Sequence, residues 1–396
     1  METKARIQTI VSINELERRW KAVRQAMKER RIDFLILQNA SAHFCGYVRW
    51  FTDMSVGDGY PATVIFPRDD EMTTIWHGPR PPAEPNPPSW SLRGVKKRIS
   101  VPILPSLGYS SIFDAEKVVA ELARYKNCRI GLVGMGFISA ALYQYVTEHL
   151  DTARFEDATD LVDMIKAIKS DEEIKLTRDT CKLQDSVFKY VLTRLQLGRT
   201  DKELYRDVVN KCLELGSEQM NIMVGSAPSG TAARTYQTHL LSNRVIEDGD
   251  QFSILIETDG PGGLWGELGR TVCLGRVSPE LKEQFELDRE AQKVTLELLK
   301  PGNDPVAIWD ANNEFMRLIG YPEEMRLYAH GQGYDMVERP SLNPGETMRL
   351  QARMNIAVHP TVSSAKALVS LCENYIISET GEAECLHKTA QKIFVL

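Results

Sequence analysis

The 396-residue chain has little that would mark it as a secreted, membrane-bound or nucleic-acid-binding protein. Its seven cysteines (Cys45, Cys128, Cys181, Cys212, Cys273, Cys372 and Cys385) are odd in number, scattered, and without a CxxC pair. That pattern fits reduced thiols in a cytoplasmic protein better than a disulfide framework or a zinc cluster. No apolar run approaches the ~18 residues of a membrane span, and the opening METKARIQTIVSINELERRW lacks the continuous apolar core of a signal peptide. A net charge of -6 over this length argues against nucleic acid as a partner. Solenoid repeats are missing, and the one biased tract is the proline-rich stretch 79–88, PRPPAEPNPP, expected to be an exposed, extended loop. What is present, 43% hydrophobic and 26% charged residues, suits a folded globular chain long enough for two domains.

Residues 1–160 alternate helix and strand signals. An amphipathic helix over 14–30 precedes the apolar strand DFLILQ, and further strands are expected at PATVIFP, TTIWHG and CRIGLVGM, the last followed by a helix at SAALYQYVTEHL. This predicts a small α/β domain. Residues 161–396 read differently. Ser170 with Glu173, and Thr200 with Glu203, have capping-box spacing and predict two helix starts. Strands follow near NIMVGS, QFSILIE and RTVCLG, then helices near 278–299 and 305–319, then strands from RLYAHG through NIAVHP to SLCENYIIS. Long helices flanked by hairpins predict an α+β domain.

Residues 257–271, ETDGPGGLWGELGRT, place three carboxylates and an Arg-Thr pair among five glycines. Acids at a glycine-rich turn are most often solvated. Here Glu257, Asp259 and Glu267 are joined by His330 in AHGQG, His359 in NIAVHP and Glu373 in CENYIIS, all at strand or turn ends. Each has an ordinary structural explanation, but a glutamate inside a buried strand needs a partner. On a strand, Glu257 and Asp259 face the same way. Carboxylates with imidazoles suit Fe, Zn, Mn or Co better than Mg or Ca, in one ion or two.

Taken in order, these pieces resemble the superfamily of methionine aminopeptidase, aminopeptidase P, prolidase and creatinase, the pita-bread fold. IKAIKSDEEIKL is similar to that family's lead-in to its second domain. SNRVIEDGDQFSILIETDG resembles "gD-x-v-x-x-D-x-G", GELGRT "sD-x-x-RT", HGQGYDMVERP "HG-x-G-x-x-x-HE-x-P", MNIAVHP "M-x-x-x-x-EP", and CENYIISETGEAECL "E-d-x-x-x-v-t-x-x-G-x-e-x-L". The resemblance covers the whole chain. It implies a pita-bread catalytic domain behind a smaller α/β domain, with metal held by Glu257, Glu267, His330, His359 and Glu373, and Asp259 as a further acid. It also implies substrate contact by His239, support of a ligand carboxylate by Arg270, and an orienting or base role for Glu338. In creatinase-like homodimers the region of Arg49, Trp50 and Phe51 reaches the partner's active site, where it would meet an anionic or aromatic substrate.

Three departures separate this chain from the family's peptidases. His359 stands where the metal-binding, proton-accepting glutamate precedes proline. Val337 stands at the second histidine. Both aspartate ligands are glutamates. The expected activity is therefore hydrolysis of an amide- or amidine-type C–N bond in a small non-peptide molecule. The alternatives are a lyase resembling those that cleave dimethylsulfoniopropionate, an Xaa-Pro dipeptidase, a metal-free creatinase-like site using His239, and a non-catalytic binding protein.

Overall fold

The computed structural model describes residues 9–44, 46–78, 87–233, 243–362 and 364–396. The chain divides into two compact units, Met1–Lys166 and Ala167–Leu396. The proline-rich loop expected over 79–88 lies almost wholly outside the described residues, as does Cys45.

The first unit opens with helix α1 (Ile13–Arg30). Ser12 caps it by accepting the Glu15 amide, and Arg31 ends it in the left-handed conformation at φ 59. Leu16, Trp20, Val23 and Met27 form its buried stripe. Strand β1 (Phe34–Asn39) and helix α2 (Gly46–Thr52) follow, then β2 (Ala62–Pro67), β3 (Met72–His77), β4 (Val95–Val101), α3 (Phe113–Leu122), β5 (Arg129–Val133), α4 (Ala140–His149), β6 (Arg154–Asp157) and α5 (Thr159–Lys166). The six strands form one mixed sheet in the order β4-β3-β2-β1-β5-β6. Arg49, Trp50 and Phe51, expected at a substrate rim, are instead interior residues of α2, each no more than 1% exposed. The Trp50 and Phe51 carbonyls accept from the Arg19 guanidinium and the Trp20 indole at 3.0 and 2.9 Å, and the Phe51 ring lies 4.8 Å from that of Phe66. A seven-residue helix with every side chain buried has no face left for a ligand.

The second unit starts with α6 (Asp171–Arg194) and α7 (Asp201–Glu214). Both predicted capping boxes are present, Ser170 with Glu173 and Thr200 with Glu203. Strands β7 (Met220–Ala227), β8 (Gln251–Asp259) and β9 (Trp265–Cys273) precede helices α8 (Pro279–Leu298) and α9 (Pro305–Leu318). Short strands close the chain: β10 (Ala329–Gly331), β11 (Glu338–Ser341), β12 (Asn355–Val358), β13 (Glu373–Ile376), β14 (Glu384–Cys385) and β15 (Phe394–Val395). They build a four-stranded sheet, β15-β9-β8-β7, and a five-stranded antiparallel one, β11-β10-β12-β13-β14. Phe188 of α6 and Val208 of α7 pack with Ile254 and Leu268 on one face of the first sheet. Ile308 and Trp309 of α9 share a core with Tyr328, which precedes β10, and with Ile356 and Tyr375 of the second.

The two sheets of this unit touch at one backbone bridge, Gly269 with Cys372. A Cβ on Gly269 would lie 2.8 Å from Ser370 Oγ and 2.9 Å from the Cys372 amide nitrogen, so only glycine permits this approach. Gly269→Ala is therefore expected to lower stability by about 1–3 kcal/mol by forcing the sheets apart. Gly381→Ala, whose Cβ would meet nothing closer than 3.9 Å, should stay within about 0.5 kcal/mol. Denaturant unfolding of the two variants beside wild type measures both.

Candidate metal centre

Antiparallel pairing of β8 with β9 sets Glu257 directly opposite Glu267. Residues so paired project from the same face, so two carboxylates meet side by side on the inner surface of the hairpin. The second sheet supplies the histidines. His330 on β10 pairs with Ala357, and His359 lies two residues beyond Ala357, on the same face as His330. Their rings sit 5.2 Å apart in an edge-on arrangement. His330 Nε2 is 3.7 Å from one Glu267 oxygen and His359 Nε2 is 3.9 Å from the other. Among the described residues, one group of three or more metal-competent side chains is found, Glu267, His330 and His359, with ligand atoms all within 4.8 Å of one another.

The protonation states suit ligation. His330 Nδ1 lies 2.9 Å from the Gly331 carbonyl, which can only accept, so Nδ1 carries the proton and Nε2 presents its lone pair. Burial holds the His330 pKa below the ordinary value. Burial, then the neighbouring His330 and Arg326, holds that of His359 well below it. Glu267 is pushed up to about 7 by burial, against a hydrogen bond from the Cys372 thiol and the positive charge of Arg326. Burial and then Glu267 push Glu257 well up, although Asn221 donates to it at 3.1 Å. Glu267 Oε2 and His359 Nε2 are buried without a hydrogen-bond partner. Lone pairs facing a carboxylate, with two donor atoms unsatisfied, are what a divalent cation would relieve, so the set fits a metal.

Glu373, expected as a ligand, points the other way. It pairs with Val358, one residue out of phase with His359, so its side chain leaves the sheet on the opposite face. There it forms an ion pair with Arg270 at 2.6 Å, both side chains 1% exposed. The Arg270 Nη2 hydrogens aim at the Thr389 carbonyl, so the contact with Glu373 Oε1 is Coulombic rather than a well-aligned hydrogen bond. The other Glu373 oxygen accepts from Gln292, Gln391 and the Tyr375 hydroxyl. Cys372 takes the inner position: it clusters with Leu255, Ala357 and Met223, and its thiol meets Glu267. The sequence carried a signal for this. The family pattern has its glycine nine residues after the glutamate, and Gly381 is nine residues after Cys372 but eight after Glu373.

The remaining expected residues divide. Arg270 is a support residue, donating to the carbonyls of Gly269, Cys372, Thr389 and Ala390 besides pairing with Glu373. Asp259 shares the face of Glu257, but its Oδ1 accepts the amides of Glu218 and Gln219, both at 2.9 Å, and so holds the turn before β7. Glu338 pairs with buried Lys169 at 2.8 Å and accepts the Tyr334 and Asp335 amides. It is committed to shaping the loop after His330, because a buried charge pair cannot release one partner cheaply. His239 lies outside the described residues. Sequence reasoning missed Asn374, whose side chain accepts the Glu267 amide at 2.7 Å and donates to Gln332 and Asn355. A polar residue inside an apolar strand was its signal.

A model of metallopeptidase family M24 matches residues 175–379, more than half of the chain. The chain belongs to this family. An uncharacterised hydrolase/peptidase of Sinorhizobium fredii is 24% identical over 400 residues, covering 96% of this chain and 97% of that one. An Xaa-Pro dipeptidase of Pyrococcus furiosus is 23% identical over 264 residues, 65% of this chain and 74% of that protein. Among solved structures, a prolidase from Thermococcus sibiricus superposes with a TM-score of 0.78 at 18% identity, covering 98% of this chain and all of that one. An Xaa-Pro dipeptidase from Bacillus anthracis gives 0.73 at 21%, covering 96% and 100%. These likenesses establish the pita-bread architecture behind an N-terminal domain. M24 is a family of metallopeptidases, so the geometric fit to a divalent ion and the family agree.

Arg270→Met, which leaves Glu373 buried and unpaired, is expected to cost about 3–5 kcal/mol. Equilibrium unfolding of the purified variant against wild type checks it, and a loss below about 1 kcal/mol would mean that the pair is not the brace inferred.

Proposed function

We propose that the chain is a metal-dependent hydrolase acting on an amide- or amidine-type C–N bond in a small non-peptide molecule. The observation that supports it is His359. At the position where the family's peptidases keep a proton-accepting glutamate, this chain has a neutral imidazole whose free Nε2 faces Glu267. Such a group can hold a metal but has exchanged the carboxylate chemistry of the base. Val337 removes a further donor of the peptidase apparatus. In this reading Glu267, His330 and His359 hold a divalent Fe, Zn, Mn or Co ion, which would polarise the scissile group when bound. Glu257, held by Asn221 opposite Glu267, is the carboxyl that can receive or return a proton.

The elimination reading loses its footing, because it drew on an acid pair of Glu257 and Asp259, and Asp259 is committed to backbone amides. An Xaa-Pro dipeptidase is the second reading, favoured by the names of the relatives and by His330 on its strand. We further read the protein as a cytoplasmic homodimer; the described cysteines, all free, are compatible with a reducing compartment.

The test is a turnover screen of small amides, amidines and lactams beside an Xaa-Pro dipeptide. Hydrolysis of a member of the first group, abolished by a chelator and restored by one of the four ions, is expected. Faster cleavage of the dipeptide would replace this reading with the second, and a product formed without water would make the enzyme a lyase. In the same assay His330→Ala is expected to lower kcat/KM by at least about 100-fold, as loss of a metal ligand does.

A further inference from the structure

We propose that Gln184, oriented by His387, is a positioning residue for the carboxyl pair Glu257 and Glu267, holding both strands of their hairpin from the face opposite the metal centre. The inference rests on the metal reading above and adds to it the group that fixes where Glu267 stands.

Ile256 and Leu268, each one residue from a carboxyl, pack in the core shared with α6, so Glu257 and Glu267 face away from that helix. Gln184 of α6 is fully buried and reaches the strands behind the pair. Its Nε2 donates to the Ile256 carbonyl at 3.2 Å and lies 3.5 Å from that of Thr258, the two carbonyls that flank Glu257. A Cβ on Gly266, the residue before Glu267, would fall 2.8 Å from Gln184 Oε1 and 3.3 Å from its Nε2. The side-chain amide therefore spans both strands beside the rung that carries the two acids, and glycine leaves it room.

His387 decides which end of that amide faces the sheet. The Asn374 backbone amide donates to its Nδ1 at 3.3 Å, so the ring proton is on Nε2, which donates to Gln184 Oε1 at 2.8 Å. With its oxygen so engaged, Gln184 turns its nitrogen to the carbonyls. Burial, opposed by Asp185 and aided by Arg270, pushes the His387 pKa down to about 3, so the ring is neutral and keeps this arrangement. The Asn374 side chain accepts the Glu267 amide at 2.7 Å. His387 thus acts on both acids, through Gln184 on the strand of Glu257 and through Asn374 on that of Glu267. Neighbouring buried acids repel each other, and this network opposes their separation from behind.

Cobalt(II) titration of the metal-free full chain, followed by the visible absorption of the bound ion and paired with thermal unfolding of the same samples, tests this. Gln184→Met keeps the shape but cannot donate to either carbonyl, and is expected to bind cobalt about 10–100-fold more weakly than wild type. His387→Gln, whose amide nitrogen reaches the place of Nε2, is expected to bind as wild type does. His387→Asn reaches only the place of Nδ1 and should lose about tenfold or more. Phe188→Leu thins the apolar core under the same helix, and should lower Tm while keeping the cobalt affinity. Equal affinity of Gln184→Met and wild type, or a loss in Phe188→Leu as large as in Gln184→Met, would make the network structural only and overturn the proposal, with the metal centre left standing. If Gln184→Met does not fold, the two His387 variants decide, and equal binding by both overturns it. Failure of wild type to bind cobalt would remove this inference together with the metal reading.

Discussion

Two β-sheets touch at Gly269 and Cys372, and the candidate centre exists because they can. The carboxylates come from one sheet and the histidines from the other. A methyl group on Gly269 would fall 2.9 Å from the Cys372 nitrogen and hold the donors apart. Other contacts keep the sheets in register. The Asn374 side chain receives the Glu267 amide, and the Trp265 amide donates to the Gly333 carbonyl in the loop after His330. Each ties a ligand-bearing segment of one sheet to the other, so the backbones that carry the ligands are fixed before the side chains' own hydrogen bonds act. That is how a site of mutually repelling groups is held together without its ion.

The same strand pair separates charges by face. Outward, Glu373 is neutralised by Arg270 and its other oxygen is saturated by Gln292, Gln391 and Tyr375. Inward, Glu257, Glu267 and the Cys372 thiol lie together, and burial raises the pKa of each. One side is a completed structural ion pair and the other a set of acids awaiting a cation. Alternation along a strand, with its period of two, is enough to make neighbours in sequence belong to these different electrostatic worlds.

That period also explains what could be read from the sequence. Patterns of residue type survive small errors of alignment: the capping boxes at Ser170 and Thr200, the helices of the second unit, and the order of family motifs all pointed to the fold. That Glu267, His330 and His359 would meet was legible because each sits in a motif anchored by glycine or proline. The outward direction of Glu373 was not, because a slip of one residue in aligning the motif exchanges the two faces of a strand. Asp259 was assigned to the correct face, but the backbone amides of Glu218 and Gln219 that it serves are forty residues away and leave no mark in its local sequence. The burial of Arg49, Trp50 and Phe51 was similarly hidden, since a short run of large residues reads alike for a rim and for a core.

The departures from the peptidase pattern act together rather than singly. His359 in place of a carboxylate removes a negative charge, and Cys372 in place of another packs among Leu255, Ala357 and Met223. Glu373, its neighbour, faces the other way and is paired with Arg270. Combined, they leave two neutral imidazoles beside Glu267, with Glu257 opposite it and both carboxyls raised by burial. Buried imidazoles and acids have been kept where small or apolar residues would end their mutual repulsion, and a cation between them is what offsets the cost of keeping them.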